Sequence, residues 1–236
     1  MVELFTSEGC SSCPAADWLL GKISASAQER RNRMYPLAFH VDYWDHLGWQ
    51  DPFSAAAFTD RQQRYAGALK LASLSTPQMI INGTDAFVGS NWLRARSGLT
   101  RAMKTPGRVP VAIRFAACAR QRLQVAYTAS AVPTGAVLNV ACVERGLVNR
   151  VTAGENRGRT LRLENVVRAF QTVLLEDSTG VVTLTIPETV RWPHAAVVGY
   201  VQDPATMIIL GADGFDMPAG GHSPPNGSGE RNPPDH

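Results

Sequence analysis

Charge, cysteine and long apolar runs are all scarce in this chain, and each shortage excludes a class of function. Charged residues make up 18% of the sequence and the net charge is only +3, too little to hold a polyanion, so nucleic acid and anionic membrane surfaces are not expected as partners. No apolar run reaches the roughly 18 residues that a membrane-spanning helix needs. No basic segment followed by an apolar stretch precedes Val2, which taken alone predicts a cytoplasmic protein. Four cysteines in 236 residues are too few for a disulfide scaffold. What remains is an apolar content of 44%, enough for one large domain or two ordinary ones, each with a core.

The apolar pattern changes character midway. Val2-Glu3-Leu4-Phe5 reads as a buried strand. Ala16, Leu19, Leu20 and Ile23 recur at helical spacing behind Pro14, which is tolerated in a first turn. Leu37 to Val41 is a second buried strand, and strand, helix, strand suggests a parallel βαβ unit. A helix carrying Phe58, Gln62, Tyr65 and Leu69 follows. Gln78 to Ile81 then runs into Asn82-Gly83, a strong hairpin signal, and Ala86 to Val88 returns. A helix starting near Ser90 places Trp92, Ala95, Leu99 and Met103 on its inner side. After Thr105-Pro106-Gly107 the pattern alternates, with strands expected at Val109–Ala117, 123–127, Ala136–Val143, Thr160–Leu175 (with a break), Val181–Ile186, Ala195–Gln202 and Met207–Leu210. This predicts a β-sandwich over 107–215, and the Pro- and Gly-rich stretch 216–236 reads as a disordered tail.

Cys10-Ser11-Ser12-Cys13 carries the chemistry. At a strand end and a helix start, amide N–H groups and the helix dipole favour a thiolate on the first cysteine, the species that attacks disulfides. Structural zinc sites share the spacing, but zinc normally wants a second ligand pair and no other C-x-x-C is present. His40 and His46 are the side chains that could be recruited. Glu8, two residues before Cys10, opposes the helix effect and raises the thiol pKa, so a nucleophile of moderate acidity is expected. Cys118 and Cys142 are expected as free thiols. Ser75-Thr76-Pro77-Gln78 opens a strand, where proline is allowed because the ladder has not begun.

A dithiol after the first strand and a Thr-Pro before the last hairpin resemble the thioredoxin fold, over residues 1–106 with a helical insertion. That resemblance implies that Thr76 and Pro77 lie beside the dithiol and hold substrate backbone. The stretch Val2 to Pro14 and the segments His40 to Asp45, Thr76-Pro77-Gln78, Gly154-Glu155-Asn156-Arg157-Gly158-Arg159-Thr160, Asn165 to Arg168, Val201 to Pro204 and Leu210-Gly211-Ala212 also resemble the secreted bacterial family catalogued as domain of unknown function 1223. The family implies a periplasmic or secreted protein.

The resulting expectation is an α/β thioredoxin-like domain followed by an all-β sandwich, acting as a thiol-disulfide oxidoreductase. Cys10 attacks, Cys13 resolves, and Thr76, Pro77, Tyr43 and Trp44 contact substrate. The partners are a protein disulfide or dithiol and a redox partner, and no cofactor is implied. Copper binding on the same fold is the alternative, since soft thiolates suit Cu(I); a passive disulfide is a third. Tyr43, Trp44 and Trp49 can roof the site or pack as core. His40 reads as a core histidine, and Gly154 to Arg159 as a salt-bridged hairpin loop, with an inter-domain or partner contact second.

Overall fold

A computed structural model describes residues 1–29 and 33–218. The order is β1 (Val2–Thr6), α1 (Pro14–Glu29), β2 (Pro36–His40), α2 (Ala56–Leu69), β3 (Gln78–Ile81), β4 (Asp85–Val88) and α3 (Trp92–Lys104). Nine further strands follow: β5 (Val111–Ala119), β6 (Arg122–Ala129), β7 (Val137–Glu144), β8 (Leu147–Arg150), β9 (Thr160–Leu163), β10 (Val166–Leu174), β11 (Thr179–Thr185), β12 (Ala195–Gln202) and β13 (Ile209–Asp216). The expected tail lies almost wholly at 219–236, outside the described residues.

Eight strands form one sheet in the order β13-β12-β7-β10-β2-β1-β3-β4. β1 and β2 run parallel, and β3 is antiparallel to β1. β1 and β2 are buried on both faces, as parallel strands between layers must be. Val2 and Leu4 pack with Leu19, Leu20, Ile23 and Ala95 of α1 and α3, whereas Phe5 faces Phe58 and Tyr65 of α2. The protein is thus a mixed α/β fold with a large central sheet and additional smaller sheets.

The expected division at residue 106 separates chain segments but not sheets. β10 joins β2 in parallel at Val166 and Ala38, with the Ala38 amide donating to Asn165 O at 2.8 Å. Four of the strands after residue 107, β7, β10, β12 and β13, therefore extend the sheet begun by the first four. The three-stranded sheet β11-β6-β5 covers one face of this extension. Ile113, Leu123, Val125 and Val182 meet Leu138, Val140, Val197 and Val201 there.

Three local outcomes follow from backbone chemistry. Asn82 and Gly83 both adopt positive φ (49° and 74°), the geometry of a tight hairpin turn. A Cβ on Gly83 would lie 1.9 Å from Met207 O, so glycine is required there. In β5 the register shifts between Phe115 and Ala117. This bulge resets the alternation and turns Cys118, expected on the outer face, inward against the core. In α3 the inner face is Ala95 and Gly98, and Trp92 and Met103 are exposed rather than inward. Small residues are needed there because a Cβ on Gly98 would meet Ile81 Cδ1 at 2.7 Å.

Candidate functional site

β1 ends at Thr6, and the chain turns through Ser7 to Cys13 before α1 begins at Pro14. The turn closes on itself: the Cys10 amide donates to Ser7 O (3.2 Å) and the Cys13 amide to Cys10 O (3.2 Å). Cys10 and Cys13 form a disulfide with their Cα atoms 5.4 Å apart. Both cysteines are fully buried, at 0% exposure, while Ser11 and Ser12 between them are exposed. Cys118 and Cys142 are free thiols.

Of the other residues expected at the site, Trp44 lies against this turn, Thr76 is joined to Trp44, Pro77 lies against the start of α1, and Tyr43 is tied instead to Gln62. Trp44 Nε1 donates to Thr76 Oγ1 at 2.8 Å, and a Cβ on Gly9 would come within 3.2 Å of Trp44 Cβ. The Thr76-Pro77 bond is cis. Pro77 Cβ and Ala16 Cβ would each stand 3.1 Å from a Cβ on Gly89, which puts the proline against the first turn of α1. Tyr43 OH donates to Gln62 Oε1 (3.2 Å), and the Gln62 amide donates to Ser75 O (2.9 Å) and Gln78 Oε1 (3.0 Å). Tyr43 and Trp44 are half-buried and pack on the α2 side of the sheet, whereas Trp49 packs on the α1 side.

The second half of the chain adds residues that the sequence reading missed. The loop between β8 and β9 follows the second of its two expected readings, a contact with the first half of the chain, and grips the cysteine turn. Asn156, fully buried, donates through Nδ2 to Glu8 O (2.8 Å) and Cys10 O (2.9 Å). Glu155 Oε2 accepts from the Ser11 amide at 2.9 Å. Arg159 Nη1 donates to Asn156 Oδ1 at 2.9 Å, and Asn149 donates to both carboxylate oxygens of Glu8 at 3.1 and 2.8 Å. A buried asparagine can satisfy two carbonyls that would otherwise be stranded.

Behind the turn lies a set of buried ionisable groups. Asp51 Oδ2 accepts from the Glu8 amide (2.8 Å) and bonds His40 Nδ1 (2.6 Å). Burial alone would lower the His40 pKa, but the charge and hydrogen bond of Asp51, with Asp17 and Glu8 nearby, hold it up. Burial opposes ionisation of Asp51, yet His40 and the Glu8 and Phe53 amides keep its carboxyl below the usual range. Glu8 is raised by burial and by the Asp51 charge. Asp17 sits one helical turn after Cys13, accepts from Thr6 Oγ1 at 2.8 Å, and is pushed up to about 6, mainly by burial. His40 is the expected core histidine, but only half satisfied, since its Nε2 has no partner. Among the described residues no group of three or more His, Cys, Asp or Glu side chains is arranged to hold a metal ion, and no helix is long and apolar enough to cross a membrane.

Fold and site together define a mixed α/β protein with a buried Cys-Ser-Ser-Cys disulfide at a strand-to-helix turn. The chain belongs to the family described as protein of unknown function (DUF1223), whose profile matches residues 1–202. It is also similar to a structural-genomics crystal structure of an Agrobacterium tumefaciens protein, at 26% identity and a TM-score of 0.66, over 100% of this chain and 96% of that one. A domain of the outer membrane lipoprotein Omp28 from Porphyromonas gingivalis overlaps 47% of this chain and 88% of its own at 10% identity. Its TM-score of 0.30 is too low to bear on the fold. No curated protein matches.

Proposed function

We propose that the protein is a thioredoxin-like thiol-disulfide oxidoreductase whose working groups are Cys10 and Cys13. The observation that carries the reading is the disulfide at the entrance to α1, with Trp44 and the Thr76-Pro77 loop packed beside it. The order β2-β1-β3-β4, with β1 and β2 parallel and β3 reversed, supports the thioredoxin-like assignment of the first half. The chemistry is two displacements at sulfur. The Cys10 thiolate attacks a sulfur of the substrate disulfide, and the other substrate sulfur leaves as a thiolate that takes a proton from water. The Cys13 thiolate then attacks Cys10 Sγ, re-forming the Cys10–Cys13 bond and releasing the second substrate thiolate. The substrate gains two electrons and the pair loses two; a dithiol partner protein returns them by the reverse route. Thr76, Pro77, Tyr43 and Trp44 hold the substrate chain, and Glu8 restrains the acidity of the Cys10 thiol. We place the exchange in the periplasm or outside the cell, where disulfides persist.

A passive structural disulfide is the second reading, favoured by the complete burial of both cysteines. Dithiothreitol-driven insulin reduction separates the two. Wild-type protein is expected to accelerate it, and Cys10→Ser to fall to the uncatalysed rate. A wild-type rate equal to that of Cys10→Ser sinks the oxidoreductase reading. If the reduced protein then also binds Cu(I) stoichiometrically, the copper alternative takes its place.

A further inference from the structure

Thiol-disulfide exchange needs a partner sulfur to reach Cys10 in line with the bond being broken, yet Cys10 is fully buried. The β8–β9 loop is fastened across the same turn. Glu155 accepts from the Ser11 amide (2.9 Å), Asn156 bridges Glu8 O and Cys10 O (2.8 and 2.9 Å), and Arg159 braces Asn156 (2.9 Å). Trp49 backs the loop, since a Cβ on Gly154 would stand 3.1 Å from Trp49 Cβ. The Ser11 amide lies in the turn before α1, in the residue directly after Cys10, and it is the donor that holds the Glu155 carboxylate. That carboxylate is one anion at the turn and a Cys10 thiolate would be another. The two negative charges would stand at neighbouring residues of one turn, and like charges that close repel each other.

We propose that Glu155 is a positioning residue of the dithiol that makes the β8–β9 loop a redox-dependent latch: its carboxylate holds the loop shut over the disulfide and is displaced when reduction creates the Cys10 thiolate, admitting the partner protein. Only the identity of what enters rests on the oxidoreductase reading. The reducing equivalents come from a dithiol that reaches the bond when the loop opens locally; it ends as a disulfide while Cys10 and Cys13 become a thiolate and a thiol, and the thiolate then keeps the loop from closing.

Glu155→Gln tests this directly, because the side chain is exposed and the substitution keeps its shape while removing the charge. Glu8 from the turn, Asp17 from α1, His40 from β2, Asp51 from the loop after it and Arg159 from the latch itself are unchanged. In dithiothreitol-reduced protein, the pH midpoint of iodoacetamide alkylation at Cys10, read on its own peptide by mass spectrometry, is expected to fall in Glu155→Gln. The rate near neutral pH should rise about twofold, because a larger thiolate fraction is partly offset by lower intrinsic nucleophilicity. Glu29→Gln, at the far end of α1, is expected to leave the midpoint in place. Above the midpoint, amide hydrogen exchange over residues 152–160 should be faster in reduced than in oxidised wild type, and this difference should shrink in Glu155→Gln. An unchanged midpoint, an equal shift in Glu29→Gln, or equal exchange in the two redox states of wild type overturns the proposal. Lack of insulin reduction alongside a shifted midpoint and redox-dependent exchange would end the oxidoreductase reading and leave the latch standing.

Discussion

Glu3→Gln is expected to destabilise the protein by about 3–5 kcal/mol, the usual cost of removing one partner of a buried ion pair. Glu3 and Arg61 are each 1% exposed, deep between β1 and α2. Glu3 Oε1 lies 2.7 Å from Arg61 Nη2 and accepts from Arg61 Nε (2.8 Å) and Tyr200 OH (3.1 Å); Tyr65 OH donates to its other oxygen. The guanidinium also donates to Gln202 Oε1 at 3.1 Å and is enclosed by the rings of Phe39, Tyr65, Phe170 and Tyr200 at 5.2–5.5 Å. Losing the carboxylate leaves a positive charge with no counter-charge in a dry cage. The double variant Glu3→Gln, Arg61→Met removes both charges and should cost less than the single, because no ion is stranded. Urea unfolding of the four proteins in this cycle measures the coupling, and additive losses would contradict the account. The cage also binds β1, which leads to Cys10, to Tyr200 and Gln202 on β12, so it joins the two halves of the chain.

Asp17→Asn is expected to do the opposite, in a pH-dependent way. Burial raises the Asp17 carboxyl from 3.8 to about 6 in the folded protein. The folded state therefore holds this proton more tightly than the unfolded chain does. The stability that the group contributes is complete below about pH 4 and is lost as pH rises through 6. A shift of this size is worth about 3 kcal/mol at most. At pH 8 Asp17→Asn should be the more stable protein by about 1–3 kcal/mol, with the gap closing toward pH 4. Chemical denaturation at pH 4, 5, 6, 7 and 8 reads this out; parallel stability curves for the two proteins would contradict it.

Much of the first half was legible because its signals are local. The helical spacing of Ala16, Leu19, Leu20 and Ile23 and the Asn82-Gly83 turn each depend on neighbours in sequence. The position of β10 against β2 does not. The contact joins Val166 to Ala38 across more than a hundred residues, and neither strand's alternation marks the other as its partner. Cys118 was misplaced for a related reason, since one extra residue in β5 inverts a period-two pattern and leaves no mark in composition. Among the candidate residues, Cys10 and Cys13 stand out by type and spacing, whereas Thr76 is picked out only through the resemblance to the thioredoxin fold and Trp44 only as part of an aromatic loop. Asp17 does not stand out, although its i, i+4 relation to Cys13 places both on one helix face and is a usable signal. Asn156 was hidden in a polar loop, where nothing distinguishes an asparagine that meets solvent from one that bridges two buried carbonyls.

The central claim, that the Cys10–Cys13 bond is exchanged in the folded protein rather than serving as a fixed staple, is tested most directly by its reduction potential. Folded protein equilibrated across dithiothreitol and glutathione redox buffers, with the Cys10–Cys13 state read by alkylation and mass and the fold followed by near-UV circular dichroism, gives that value. A single two-electron transition is expected above about −300 mV, the level below which structural disulfides typically lie, with the fold retained throughout. A bond that stays oxidised below that level, or yields only as the protein unfolds, would contradict the claim.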